Sequence, residues 1–145
     1  MSRLQLALNV SDLEEAVVFY SSLFGVAPAK VRPGYANFAV ADPPLKLVLF
    51  EGGDPGTVNH LGVEVGSAQE VAEAASTLAG RGRAGDLEEA TTCCFAVQDK
   101  VWVDGPDGAR WEIYTVLADA EPEDGAGPGC CGVTGDAGSP ATTCC

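Results

Sequence analysis

The fold is decided by two stretches of the chain, residues 4–10 (LQLALNV) and residues 59–65 (NHLGVEV). In both, aliphatic residues alternate with polar or small ones, which is the period of a half-buried β-strand. An offset of 55 residues superimposes the two patterns and places Gln5 and His60 at equivalent positions on the non-aliphatic face. The sequence therefore predicts a duplicated unit.

Each of these strands is followed by a helix signal that repeats with the same offset. Residues 12–15 (DLEE) and 67–70 (SAQE) are N-terminal capping signals ahead of an apolar stripe with helical spacing. Gly25 and Gly80 are expected to end the two helices.

Short strand signals follow each helix, at 35–40 and 46–50 in the first half and at 95–103 and 110–116 in the second. One half alone would expose a sheet edge and an uncovered face, and pairing two halves buries both. We therefore predict an α+β fold in which two paired βαβββ modules form a curved mixed sheet around a cleft, with the helices outside.

The domain is predicted to span residues 1–118, with modules at about 1–54 and 55–118. Gly-rich residues 52–56 are interpreted as the linker between them. Residues 119–145 contain six glycines, five carboxylates and no Lys or Arg, which predicts a flexible acidic tail that carries two cysteine pairs.

The charge balance excludes several classes of partner. Eight Lys and Arg against 21 Asp and Glu give a formal net charge of -13, which repels phosphate backbones and anionic lipids. No apolar run approaches the roughly 18 residues of a spanning helix, and the first residues do not resemble a signal peptide. We expect a cytoplasmic protein that binds neither nucleic acid nor membranes.

Three side chains are predicted to converge in the cleft. If the helices cover the aliphatic strand faces, Gln5, His60 and Glu112 all face inward, and Tyr114 lines the same pocket. An amide, an imidazole and a carboxylate resemble the facial triad of non-haem iron, with Gln in place of a second His. The alternatives are a structural histidine and a solvated Glu112 on an edge strand. The matching position of the first half, Val48, is apolar, so the site would be used once.

The six cysteines form three adjacent pairs: Cys93-Cys94, Cys130-Cys131 and Cys144-Cys145. Neighbouring cysteines suit neither a disulfide framework nor a zinc site, so we expect reduced thiols able to grip a soft, thiophilic centre. The first pair is placed on a mobile segment at the cleft mouth, after a polar lead at 81–89; ordinary buried cysteines are the alternative. The tail pairs would relay soft ions or have no role.

Lys100 is the only Lys or Arg between Arg83 and Arg110. We interpret it as a solvated surface charge, with the steering of an anionic group as the alternative.

These residues carry a family resemblance that covers residues 1–118. The duplicated modules with Gln5, with His60 in NHLGVEV and with Glu112 in WEIY (111–114) resemble the vicinal oxygen chelate superfamily of glyoxalases, extradiol dioxygenases and bleomycin-resistance proteins. With the pair Cys93-Cys94 and the cysteine-bearing tail, the chain is most similar to the bacterial non-haem iron carbon–arsenic lyases, which include proteins first labelled cadmium-induced.

The resemblance implies a reaction. Cys93 and Cys94 would bind a trivalent organoarsenical, such as methylarsenite or a reduced aromatic arsenical. Fe(II) held by Gln5, His60 and Glu112 would use O2 to break the carbon–arsenic bond and release arsenite. No catalytic side chain beyond the metal site is implied.

Two other functions remain open at this point. A glyoxalase-I-type isomerase would normally need a fourth protein ligand, which Val48 does not provide. A non-catalytic binder would sequester a drug, or buffer arsenite or cadmium through its thiols. The superfamily pairs modules within and between chains, so a monomer and a homodimer are both compatible with the sequence.

Overall fold

The computed structural model describes residues 2–93 and 95–120, and in these ranges it contains two α-helices and one eight-stranded sheet. The elements are β1 (Arg3–Val10), α1 (Leu13–Phe24), β2 (Lys30–Arg32), β3 (Tyr35–Val40), β4 (Leu45–Glu51), β5 (Val58–Glu64), α2 (Ala68–Gly80), β6 (Asp86–Cys93), β7 (Ala96–Asp104) and β8 (Arg110–Asp119). The predicted α+β class is confirmed. Neither helix of these ranges is long and apolar enough to span a bilayer. The predicted tail lies outside the described residues from 121 onward.

The sheet is built around the pairing of the two leading strands. Its strand order is β2-β3-β4-β1-β5-β8-β7-β6, so β1 and β5 lie side by side at the centre and run antiparallel. Leu6 lies opposite Leu61, its own equivalent under the 55-residue offset. Gln5 lies opposite Gly62, and Ala7 lies opposite His60. This register is the one that a local two-fold axis between the modules requires.

The helices begin where the sequence predicts. Asp12 caps α1 by accepting a hydrogen bond from the Glu15 amide, and Ser67 caps α2 in the same way. Gly25 ends α1 with a φ of 66°, a left-handed conformation that glycine adopts without strain. α1 covers the main apolar cluster, whose buried members are Leu13, Ala36, Phe38, Val40, Leu47 and Leu49. α2 packs on β7 and β8.

Two strands were not identified from the sequence. β2 has only three residues, and β6 runs through the segment interpreted as a polar lead. Both are edge strands with one neighbour, and most of β6 is exposed, so burial imposes no alternating pattern on its residues. A register shift between Glu88 and Thr91 weakens the pattern further.

Gly85, just before β6, allows the chain to approach β7 closely. A Cβ at this position would lie 2.2 Å from the Trp102 carbonyl oxygen, which is backbone and cannot turn aside. We expect Gly85→Ala to lower the free energy of unfolding by about 1–3 kcal/mol, measured by urea denaturation. Gly80→Ala is the control, because a Cβ there meets nothing within 4 Å. Equal stability of the two variants would contradict the close packing of β6 on β7.

Candidate functional site

Three neighbouring strands bring the three predicted donor side chains together. Gln5 on β1, His60 on β5 and Glu112 on β8 face the inside of the curved sheet. The Gln5 amide nitrogen lies 2.5 Å from Glu112 Oε1 and 3.0 Å from His60 Nε2, and His60 Nε2 lies 3.2 Å from Glu112 Oε1. The three groups therefore surround one point.

Strand register explains why side chains so far apart in sequence meet. Gly62 on β5 lies opposite Gln5 on one side and Glu112 on the other. A Cβ on Gly62 would lie 3.0 Å from Glu112 Cγ and 3.4 Å from Gln5 Cβ. The lack of a side chain at this position is what lets the two flanking side chains approach His60.

The group is buried and Glu112 is charged. Gln5, His60 and Glu112 are at most 5% exposed, so Glu112 is not the solvated charge of the alternative interpretation. Burial alone would raise the pKa of the Glu112 carboxyl, but its contact with the His60 ring, the nearby Lys100 ammonium and the hydrogen bond from Gln5 outweigh burial and lower that pKa. Glu112 is therefore a carboxylate at neutral pH.

Lys100 belongs to this group, and its interpretation as a surface charge was wrong. The residue has no exposed surface, and its Nζ lies 3.4 Å from Glu112 Oε2 and 5.4 Å from the centre of the Trp102 ring. The β7–β8 hairpin aligns Lys100 with Tyr114 and Trp102 with Glu112, so all four side chains face the cleft. Counting back from the 105–108 turn would have placed Lys100 on this face.

Tyr114 contacts Gln5 directly, which is closer than the pocket-lining position expected for it. Its hydroxyl donates a hydrogen bond to Gln5 Oε1. Burial raises the pKa of Tyr114, so the phenol keeps its proton at neutral pH. The carbonyl of the Gln5 amide thus points at Tyr114, and its NH2 group points at Glu112 and His60.

The duplication is asymmetric at the site. Val48 lies opposite Ala7 in the first half, and Glu112 lies opposite Gly62 in the second. Because Ala7 and Gly62 are equivalents, Val48 occupies the place of Glu112, as the sequence analysis expected. Val48 is buried with Ala7 and Tyr35 in an apolar cluster. The described cleft therefore has one carboxylate at this pair of positions.

Cys93 is the last residue of β6, opposite Ala96, and is 3% exposed. In the structure Cys93 is disulfide-bonded at the end of a strand, whereas the sequence predicted a reduced thiol on a mobile segment. The hairpin end is held against the first module: Lys30 Nζ donates to the Phe95 carbonyl, and the Phe95 ring lies 5.3 Å from that of Tyr35. Cys94 and the four tail cysteines lie outside the described residues.

The donor set fits a divalent metal ion. Two ligand atoms that are each about 2.1 Å from a six-coordinate ion lie about 3 Å apart, which is close to the separations among the three side chains. Residues 2–93 and 95–120 contain no group of three His, Cys, Asp or Glu side chains arranged for a metal, so a metal held at this point would need the Gln5 amide as its third protein ligand. Its oxygen would have to turn inward, and the Tyr114 hydroxyl can accept from the NH2 group that replaces it.

The fold and the site together define a duplicated βαβββ protein with a buried cluster of three candidate metal donors in its cleft. The chain belongs to the glyoxalase/bleomycin resistance protein/dioxygenase superfamily, whose family model matches residues 3–113. The resemblance found in the sequence is thereby confirmed.

Two relatives resemble this chain over most of its length. Over 129 residues the chain is 64% identical to the cadmium-induced protein CadI of Mycobacterium tuberculosis (strain ATCC 25618 / H37Rv), covering 88% of this chain and 84% of CadI. It is 55% identical over 141 residues to the trivalent organoarsenical cleaving enzyme of Thermomonospora curvata, covering 96% and 93% of the two chains. The Mn(II)-bound glyoxalase from Novosphingobium aromaticivorans has the same fold, with a TM-score of 0.59 at 17% identity, covering 87% of this chain and 44% of that one.

Lys100 is expected to stabilise the buried Glu112 carboxylate. Lys100→Met leaves that charge without its cationic partner, so the free energy of unfolding should fall by about 3 kcal/mol or more at neutral pH. The folded-state pKa of Glu112 is below its unfolded value, so its stabilisation is present above the unfolded pKa and lost as the pH falls. In the variant that pKa rises, so the stability difference should shrink in acid.

Lys46→Met is the matched control for this experiment. Lys46 Nζ lies 3.7 Å from Glu64 Oε1, but Glu64 is partly exposed and also pairs with Arg3. Replacement of Lys46 should therefore lower the free energy of unfolding by less than about 1 kcal/mol. A Lys100 variant no less stable than the Lys46 variant in urea unfolding would refute the role assigned to Lys100.

Proposed function

We propose that this protein uses Fe(II) and O2 to cleave the carbon–arsenic bond of trivalent organoarsenicals, such as methylarsenite or reduced aromatic arsenicals, and releases arsenite. The observation that carries the proposal is the convergence of Gln5, His60 and Glu112 within about 3 Å of one another in the cleft. The 55% identity to the organoarsenical cleaving enzyme of T. curvata over nearly the whole of both chains supports the choice of substrate.

Gln5, His60 and Glu112 are proposed as the iron ligands. Bound Fe(II) would supply the activation of dioxygen. The protein would supply one negative charge from Glu112 and two neutral donors, and Lys100 would hold the second Glu112 oxygen. A neutral amide in place of a second imidazole is expected to weaken iron binding, so the metal would be lost readily during purification.

Cys93 and Cys94 are proposed to hold the arsenic atom. Trivalent arsenic that carries one carbon has two exchangeable ligands, and two thiolates replace them. Cys93 lies at the end of a hairpin that contacts the first module through Phe95 and Lys30. Aromatic side chains of that module reach the site, since the ring centroids of Phe50 and His60 are 6.2 Å apart. Positioning the carbon near the metal would contribute several kcal/mol through proximity, roughly up to 7–11 in the best cases.

The redox state of Cys93 sets a condition for activity. Thiolates bind arsenic, and the disulfide of Cys93 cannot. We therefore place the reaction in a reducing compartment such as the cytoplasm, and activity assays need a thiol reductant.

The main rival is a thiol-based binder of cadmium or arsenite, which the 64% identity to CadI keeps in consideration. Such a binder has no use for a buried Gln–His–Glu group. An isomerase of the glyoxalase I type is disfavoured because Val48 occupies the place of a second carboxylate.

His60→Ala separates enzyme from binder. Reduced protein, loaded with Fe(II) without air and then given methylarsenite and air, should release arsenite; the variant should release about 100-fold less or none, because the metal loses one of three ligands. Arsenical binding by the variant should be unchanged. Arsenic speciation and equilibrium dialysis measure the two quantities. Wild-type turnover in the variant, or no arsenite from the wild type with iron and O2 present, would rule out the enzyme.

Cys93→Ser tests the substrate site. We expect it to lose methylarsenite binding and turnover while it keeps Fe(II) binding, since only one sulfur of the pair remains. Cys130→Ser is the matched control and should retain both properties. If the two variants bind methylarsenite equally well, the assignment of arsenic to Cys93 and Cys94 is wrong.

A further inference from the structure

A line of hydrogen bonds leads from the linker between the modules to the side of the His60 ring that faces away from the cleft cluster. Thr57 Oγ1 lies 2.5 Å from the Asp54 carbonyl oxygen, and Asn9 Nδ2 lies 2.9 Å from Thr57 Oγ1. Asn59 Nδ2 lies 2.9 Å from Asn9 Oδ1, and Asn59 Oδ1 lies 2.8 Å from His60 Nδ1. Four hydrogen bonds thus join a backbone carbonyl to the imidazole.

The direction of this chain is fixed at its outer end. A backbone carbonyl can only accept, so the Thr57 hydroxyl donates to Asp54 and must itself accept from the Asn9 amide nitrogen. That orientation turns Asn9 Oδ1 toward the amide nitrogen of Asn59. Asn59 Oδ1 then faces the ring, and it requires an N–H at His60 Nδ1.

The inner side of the ring agrees with this assignment. The Glu112 carboxylate only accepts, so it orients the Gln5 NH2 group into the cluster. One N–H of that group meets Glu112 and the other meets His60 Nε2, which must then accept. Glu112 Oε1 also lies 3.2 Å from His60 Nε2, but a proton on Nε2 would meet the Gln5 NH2 group donor to donor at 3.0 Å.

The linker holds Asn9 in place as well. The backbone N–H of Asn9 donates to the backbone carbonyl of Thr57 at 3.0 Å, and the backbone N–H of Gly56 donates to the backbone carbonyl of Asn9 at 2.9 Å. Gly53 has a φ of 65°, and a Cβ there would lie 3.1 Å from Asn9 Cγ, so the Asn9 side chain packs tightly on this glycine. The chain of hydrogen bonds is therefore part of the packed junction between the modules.

We infer that this chain, ending at Asn59, keeps the proton of the neutral His60 ring on Nδ1 and so leaves the Nε2 lone pair for a metal. Asn59 and Thr57 are then positioning residues, since neither reaches the metal position. The inference deepens the proposed function and rests on it for its purpose. Reversing the outer chain costs the bond from Thr57 to the Asp54 carbonyl, so about a fivefold share of the tautomer preference depends on that hydroxyl.

The sequence makes the test direct, because His60 is the single histidine of the chain. A long-range 1H–15N spectrum of the metal-free full chain in mildly alkaline buffer reports the tautomer of that one ring. We expect a pyrrole-type Nδ1 and a pyridine-type Nε2. A wild-type spectrum dominated by the Nε2–H form would overturn the inference.

Thr57→Val is the decisive variant, because residue 57 acts only through two intervening side chains. It should lower the ratio of Nδ1–H to Nε2–H about fivefold. Thr57→Ser keeps the hydroxyl and should restore the wild-type ratio, and Thr77→Val is the matched control on the exposed side of α2. Thermal unfolding of each variant reports whether the fold is intact. If folded Thr57→Val keeps the wild-type ratio of Nδ1–H to Nε2–H, the inference is wrong.

Metal binding gives a second readout. Asn59→Leu, which removes the acceptor, should weaken Co(II) binding about 10–100-fold, whereas Asn59→Asp, which can only accept, should keep it near the wild-type value. Equal affinity of Asn59→Leu and the wild type would count against the inference. Should the wild type cleave no arsenical, the proposed function fails while the tautomer result stands by itself.

Discussion

The antiparallel pairing of β1 with β5 is the constraint on which the rest of the structure depends. Leu6 opposite Leu61 sets a register in which Gln5 and His60 lie on the same face, one residue to either side of the local axis. A shift by one residue would send both side chains to the helix-covered face. Parallel pairing of β8 with β5 then adds Glu112. Backbone pairing of the three strands is thus sufficient to bring the positions of the three donor residues together.

Burial of this cluster carries an electrostatic cost that neighbouring groups offset. Glu112 is a buried carboxylate, and the Gln5 NH2 group and the Lys100 ammonium hold its two oxygens beside the His60 ring. The Tyr114 hydroxyl in turn donates a hydrogen bond to the oxygen of the Gln5 amide. A divalent ion at this point would take over part of the role of those contacts, because it supplies positive charge directly to Glu112. The same network therefore stabilises the protein by itself and would present donor atoms to a metal ion.

The repeat in the sequence predicted the modules, the helix starts and the cluster residues, because period-two alternation and capping signals are imposed by burial and by local hydrogen bonds. It did not predict β2 and β6, which are edge strands with little buried surface. Lys100 was wrongly predicted to be exposed, because lysine is usually a surface residue. Its buried position follows from the register of the β7–β8 hairpin, which places it opposite Tyr114. The Asn9–Asn59–His60 contacts depend on amide orientations that no sequence pattern records.

The exchange of Glu112 for Val48 gives the cleft two unlike walls. The wall from the second module presents Glu112, Lys100 and the edge of Trp102, and the wall from the first presents Ala7, Tyr35 and Val48. A guest with a charged or polarisable head and a hydrocarbon body can therefore satisfy both walls in one orientation only. The two modules share one backbone frame, and the side chains that differ between them give the cleft its direction.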